Sequence, residues 1–194
     1  MPAEAPVITD DVVAWVHEAG NPYFDWVFGN SDTARAEVAA WLERPTSEIA
    51  AARVQAHIAD DEVVGGYVAL SGADLATARK ADAFAMLKAQ GDRAALVRRL
   101  SAVRHIFAPV EANEWYLSKL GVRSAFRRRG LGFAILDDYL AAGAARGFRR
   151  FRLDVCAENT TAERLYKRAG FEVISRATSE AAGMTYLAMA REDR

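Results

Sequence analysis

Residues 114–132 read EWYLSKLGVRSAFRRRGLG. Glu114 to Val122 is short and mostly apolar, which suits a strand in the interior of a sheet. It runs into a basic turn carrying Gly130 and Gly132, and the segment beyond, up to about Arg146, reads as a helix. A helix starting there brings unpaired N–H groups and a partial positive charge. Phosphate oxygens satisfy both, and glycines remove the side chains that would hold a phosphate away. The segment Arg127, Arg128, Arg129, Gly130, Leu131 and Gly132 is therefore expected to bind phosphate, its arginines adding charge. A charge run alone, Arg123 included, usually marks solvated surface; two glycines inside a strand-turn-helix change that reading.

Two other phosphate turns do not fit. No Gly-Lys-Ser/Thr follows, which excludes a Walker loop, and Ile135 stands where a Rossmann turn needs its third glycine. Downstream, a strand is expected at 150–157, a helix at 161–169 and strands near 171–176 and 184–190. Asn159 lies between the first of these strands and its helix, at the strand end where open α/β sheets place ligands. Thr160 and Glu163 have capping-box spacing, Ala162, Leu165, Tyr166 and Ala169 form a stripe, and Gly170 suits the helix end.

Upstream, helices are expected at 9–19 and 32–42. Val54, Ala56 and Ile58 then alternate with polar residues, so 52–59 is a strand that turns at Asp60-Asp61 into a second one at 62–70. Gly65-Gly66 in that second strand signals a bulge or a close backbone approach. Residues 72–107 lack proline and break at Gly91-Asp92, which suggests two helices, with Phe84 and Leu87 on one stripe and Leu96, Leu100 and Val103 on the other. The whole is an α/β chain with a mixed sheet and a helical insertion at about 71–113, read as one domain over 1–194.

The 194 residues carry 25 Lys+Arg against 26 Asp+Glu and are 52% apolar, which argues against disorder. A net charge of −1 without a second basic stripe disfavours nucleic acid as a partner. Cys156 is the single cysteine, so no internal disulfide or cysteine-rich zinc site is expected. No apolar run is long enough to span a bilayer and the acidic start does not read as a signal peptide. A cytoplasmic protein that engages no membrane is the expectation.

These motifs resemble those of the GNAT superfamily of acyl-CoA-dependent N-acyltransferases. That family's pattern is a strand ending in an apolar residue, Q/R-x-x-G-x-G/A, a helix, and a strand followed by N-x-x-A-x-x-x-Y-x-x-x-G-F. The chain supplies Leu120-Gly121-Val122, Arg127-x-x-Gly130-x-Gly132 and Asn159-x-x-Ala162-x-x-x-Tyr166-x-x-x-Gly170-Phe171. The match covers 62–70 and nearly all of 114–190. The resemblance implies a central, mostly antiparallel sheet with helices on both faces and acetyl-CoA as cosubstrate, with no metal. It also implies transfer of the acetyl group to a primary amine of a small molecule or peptide by direct attack in a ternary complex. By the same similarity, backbone groups of Leu120 and Val122 would pair with the pantetheine arm in a gap between two splayed parallel strands. The Asn159 amide would bind that arm, and Tyr166 would face the sulfur.

A thiolate leaving group, whose conjugate acid has a pKa of about 8.5, needs a proton donor, and Tyr166 is the candidate against the alternative of a core tyrosine. An alkyl ammonium, with a pKa of about 10, needs a base before it can attack. Glu114 shares a strand face with Tyr116 and Ser118 and is the candidate, with Glu111, His57 and His105 as alternatives. Cys156 alternates with Leu153 and Val155, which favours packing over a covalent acyl-enzyme. The insertion departs from the family's pattern and would serve as acceptor pocket, lid or homodimer contact. A non-catalytic acyl-CoA sensor is the alternative function; it would have no need of a proton donor.

Overall fold

The computed structural model describes residues 8–59, 61–88 and 92–193. Helices α1 (Asp10–Ala19), α2 (Tyr23–Phe28) and α3 (Ser31–Leu42) come first. Thr9 caps α1 through the Val12 N–H, and Asn30 caps α3 through the Thr33 N–H. Strands β1 (Val54–Ala59) and β2 (Glu62–Ser71) lead into α4 (Gly72–Lys88) and α5 (Arg93–Val103). Then follow β3 (Glu114–Val122), α6 (Leu131–Ala145), β4 (Arg150–Cys156), α7 (Thr160–Arg168), β5 (Glu172–Ser179) and β6 (Met184–Glu192).

The six strands form one sheet in the order β1-β2-β3-β4-β6-β5. Every neighbouring pair is antiparallel except β3 with β4. Strand alternation sends Trp115, Leu117, Phe151, Leu153 and Val155 into a core beneath α6 and α7. The opposite face meets α1, α2, α3 and α5 through Val68, Cys156 and Tyr186. Helices thus cover both faces of a mixed sheet, as the sequence implies.

Gly65-Gly66 does both things expected of it. The β1–β2 register shifts between His57 and Ile58, leaving Val64 as the extra residue. A Cβ on Gly65 would stand 2.3 Å from the Gly121 carbonyl oxygen, so the crossing of β2 with β3 requires glycine there.

Three local expectations are corrected. Helix α2 has no counterpart in the sequence reading, because Gly20, Asn21 and Pro22 signal a loop just before it. Helix α4 turns its other side inward: Leu75, Ala78, Asp82 and Met86 are buried, while Phe84 is 61% exposed and Leu87 lies at the surface. Its many alanines leave no dominant apolar stripe, so tertiary contacts choose the face. Helix α7 is capped by Asn159, whose Oδ1 accepts from the Ala162 N–H at 3.1 Å, and not by a Thr160–Glu163 box; Glu163 instead pairs with Lys167 at 2.6 Å. Of the Gly91-Asp92 break, Gly91 lies outside the described residues, and Asp92 caps α5 through the Ala95 N–H at 2.9 Å.

Candidate active site

Strands β3 and β4 pair for only four residues, from Glu114 with Arg150 to Leu117 with Leu153. Beyond that they part, although β3 continues to Val122 and β4 to Cys156. The parting coincides with a bulge: β2 pairs Ala69 with Leu117 and Val68 with Lys119, which leaves Ser118 as the extra residue. Bulges bend a strand and raise its twist, which is how one bordered by β2 can diverge from β4.

The Arg123 N–H bonds back to the Val64 carbonyl at 2.9 Å, so that end of β3 alternates from a residue facing β2. Leu120 and Val122 accordingly turn their backbone groups toward the open side. One is already used, since the Val122 carbonyl accepts from Arg127 Nε at 2.8 Å. The Val122 N–H and both groups of Leu120 remain for a ligand in the gap.

The turn beyond β3 leads to the start of α6. Gly130 is its N-cap with φ 81°, a left-handed conformation that suits glycine, and Arg128 also has positive φ at 63°. Among the described residues, the backbone N–H groups of Arg128, Arg129, Gly130, Leu131 and Gly132 have no hydrogen-bond partner. Five successive donors at the positive end of a 15-residue helix form an anion cradle. The arginines divide their labour. Arg127 is held by Glu18 of α1 and by Val122, and so shapes the turn. Arg129 stacks 5.5 Å from the Phe126 ring, and Arg123 pairs with Asp11 at 2.9 Å. Arg128 is exposed and has no partner among the described residues, which leaves it the freest charge beside the cradle.

On the α6/α7 side of the gap, Gly132 would carry a Cβ 3.5 Å from Leu165 and 4.0 Å from Val122. Asn159 spends its carbonyl oxygen on the cap, so its Nδ2 stays free to donate at the end of β4. Tyr166 is 7% exposed, 6.0 Å from the Phe171 ring, and its hydroxyl makes no hydrogen bond among the described residues. Burial lifts its pKa well above the ordinary tyrosine value, so the hydroxyl keeps its proton at neutral pH.

Glu114 does not join this group. It begins β3, at the paired end of the strands, eight residues before Val122 or roughly 26 Å of extended chain. Its carboxylate is engaged by Arg152 at 3.4 Å, Arg150 at 3.5 Å and the Glu111 N–H at 2.7 Å. That is a buried structural ion pair, which Glu111 joins only through its backbone N–H, the residue itself being exposed. His57 pairs with Asp138 at 3.3 Å on the β1 side, and His105 donates to the Thr178 carbonyl at 2.9 Å over β5, two strands from the gap. Cys156 donates to Glu158 at 2.8 Å and its thiol is pushed up to about 11, by burial first and by that carboxylate second, so it stays an unreactive thiol.

On the other face of the sheet, at the mouth of the gap, lies a polar cluster that the sequence reading missed. Glu48, from the loop after α3, meets Arg79 of α4 at 3.2 Å, Lys119 at 3.7 Å and the Ser118 hydroxyl at 2.6 Å. Arg79 also donates to the Tyr116 hydroxyl at 3.2 Å, which in turn donates to Asp154 Oδ2 at 2.9 Å. Burial pushes the Glu48 carboxyl up, but Arg79 and Lys119 outweigh it and hold the group down at about 2. Asp154 goes the other way: burial raises it to about 6, only partly offset by Tyr116, Arg152 and Arg79. Of this cluster the sequence reading named only Tyr116 and Ser118, on the strand face shared with Glu114; Asp154 sits at the polar phase of RFRLDVC, alternating with Phe151, Leu153 and Val155.

The parallel pair β3–β4 thus splits and opens onto an anion cradle at the start of α6. The model of the acetyltransferase (GNAT) family matches residues 16–171. The chain belongs to this family. No curated protein matches it in sequence. Among solved structures, the fold is similar to an N-acetyltransferase from Staphylococcus aureus Mu50 at 15% identity and TM-score 0.67, covering 93% of each chain. It is also similar to a protein described as an acetyltransferase, at 21% identity and TM-score 0.60, over 96% of this chain and 97% of that one. A Bacillus subtilis acetyltransferase in complex with CoA aligns at 11% identity and TM-score 0.56, over 96% of this chain and 94% of that one. As a GNAT member the chain is an acyltransferase that uses acyl-CoA.

Proposed function

We propose that the chain transfers an acetyl group from acetyl-CoA to a primary amine of a small molecule or peptide, by direct attack in a ternary complex. The observation that carries this is the opening between β3 and β4, which leads straight to five unpaired N–H groups at the start of α6. A long donor with an anionic diphosphate and a thin amide-containing arm matches that shape in both charge and hydrogen bonding. The diphosphate would sit on Arg128–Gly132, with Arg127 holding the turn. The arm would add to the free edge of β3 at Leu120 and Val122 and take a hydrogen bond from Asn159.

Tyr166 is assigned to the sulfur side. Its raised pKa makes complete transfer to a thiolate, at about 8.5, uphill. Its main contribution is therefore a hydrogen bond that strengthens as charge builds on sulfur, a stabilisation specific to the transition state. A tyrosine hydroxyl there without a partner among the described residues favours an enzyme over a mere acyl-CoA sensor, which needs no donor.

Acetyl-CoA at a hundredfold excess over its Kd should stabilise the fold by about 2.7 kcal/mol, a rise of roughly 5–10 °C in Tm for a chain of this size. If neither a shift nor a heat of binding appears at millimolar acetyl-CoA, the proposal is overturned. Release of free thiol with a panel of amines separates enzyme from sensor.

A further inference from the structure

We infer that Asp154 is the general base that accepts the proton of the acceptor ammonium, on the face of the sheet opposite Tyr166. The inference rests on the acetyl-transfer reading and adds the residue that reading lacks. Asp154 is the first β4 residue past the last β3–β4 pair, Leu117 with Leu153, so it borders the gap where the strands part. Its neighbours Leu153 and Val155 point into the core that holds Tyr166, and alternation turns Asp154 the other way. A thioester lying between the strands would have the hydroxyl on one side and the carboxylate on the other, with separate room for leaving group and nucleophile.

The carboxylate is half-occupied. Oδ2 is fixed by the Tyr116 hydroxyl at 2.9 Å, whereas Oδ1 is shut off from solvent and has no partner among the described residues. A buried carboxylate oxygen without a donor is costly, and an ammonium or amine N–H would satisfy it. The groups facing Asp154 are Tyr116, Arg152, Arg79 and Glu48, and it is felt in turn by Lys119 and Tyr186. Burial leaves it titrating at about 6, ionised at neutral pH yet far more basic than an ordinary aspartate. Its neighbours are poorer bases: Glu48 is paired with two cations, and Lys119 donates to Ser118.

The protons balance as follows. The ammonium gives one proton to Asp154 Oδ1, and the freed lone pair forms the C–N bond. As the C–S bond breaks, its electrons go to sulfur; the thiolate is held by a hydrogen bond from the Tyr166 hydroxyl and takes its proton from water, while the second nitrogen proton is lost to water. Asp154 then returns its proton to solvent.

The test compares thiol release from acetyl-CoA by the wild type, Asp154→Asn and Tyr116→Phe, with ethanolamine, a peptide bearing a free α-amino group, and water as acceptors. Asp154→Asn should lower kcat by about 10²–10⁴-fold while acetyl-CoA affinity by calorimetry stays within roughly threefold. The wild-type kcat should fall below about pH 6, an acid limb absent from Asp154→Asn. Tyr116→Phe removes a hydrogen bond to the ionised form, so its acid limb should move to higher pH. The amine's own ionisation is common to all three and cancels in the comparison. An Asp154→Asn enzyme with nearly wild-type kcat, or with its acid limb intact, overturns the assignment. A wild type that binds acetyl-CoA but releases no thiol to any acceptor overturns the acetyl-transfer reading in favour of the sensor, and leaves Asp154 no reaction to serve. A wild type that does not bind acetyl-CoA overturns the acetyl-transfer reading itself.

Discussion

Replacing Glu114 by Gln separates a structural carboxylate from a catalytic one. Glu114 is 4% exposed and Arg152 1%, and their ion pair at 3.4 Å lies inside the sheet. Removing one partner of such a pair leaves a buried charge without compensation, a loss of about 3–5 kcal/mol. Here the loss should sit at the low end, about 3 kcal/mol, because Arg152 keeps hydrogen bonds to the Met189 carbonyl at 3.1 Å and the Pro109 carbonyl at 3.2 Å. For a chain of this length that lowers Tm by roughly 6–12 °C. Calorimetric or urea unfolding measures the loss, and turnover per folded molecule, taken well below the midpoint, should stay within roughly twofold of wild type. Replacing both partners, Glu114→Leu with Arg152→Met, should recover most of the stability, since two apolar side chains leave no orphaned charge. A Glu114→Gln protein with an unmoved midpoint and turnover down a hundredfold or more, roughly the share of a general base, would refute this reasoning and return Glu114 to the reaction.

Three other changes have defined outcomes. Tyr166→Phe should reduce kcat by at least tenfold or so while leaving acetyl-CoA affinity nearly unchanged in calorimetry, and an equal loss in both would make it a packing residue. Gly132→Leu projects a side chain from a Cβ already in contact distance of Leu165 and Val122, so it should weaken acetyl-CoA binding with little effect on Tm; unimpaired binding would remove the gap as the site. Asp154→Asn should also stabilise the fold at pH 8, by about 1–3 kcal/mol, because the folded chain must ionise a carboxyl whose pKa is raised to about 6. The sign follows from folding raising an acid's pKa: the penalty is full above pH 6 and vanishes as pH falls to the ordinary aspartate value. Urea titrations at pH 8 and pH 4 should therefore show the variant's advantage disappear, and an advantage that persists at pH 4 contradicts the pKa.

The strand-turn-helix at 114–146 was legible because its signals are local. An apolar run, two glycines and a following helix need no distant partner to be read, and the five unpaired N–H groups are a consequence of any helix that starts there. The parting of β3 from β4 was expected only through family resemblance, since its cause is a bulge at Ser118 defined by pairing with β2. The charge of the turn was overestimated: four arginines at 123–129 suggest a strongly basic loop, but Arg123 and Arg127 are consumed by Asp11 and Glu18, more than a hundred residues away.

The sequence by itself determined the element order, the mixed sheet, the cradle and the places of Asn159 and Tyr166, because periodicity, caps and turn residues act over a few neighbouring positions. Tertiary structure alone decided which carboxylate is fully paired and which keeps an oxygen without a partner among the described residues. Glu114 and Asp154 both alternate away from the core of Leu117, Leu153 and Val155, but one meets two arginines at the closed end and the other a tyrosine hydroxyl at the open end. Partners brought in from Glu48 and Arg79, far along the chain, set the charges around the second. Desolvation and pairing depend on three-dimensional neighbours, and no spacing within the chain encodes them.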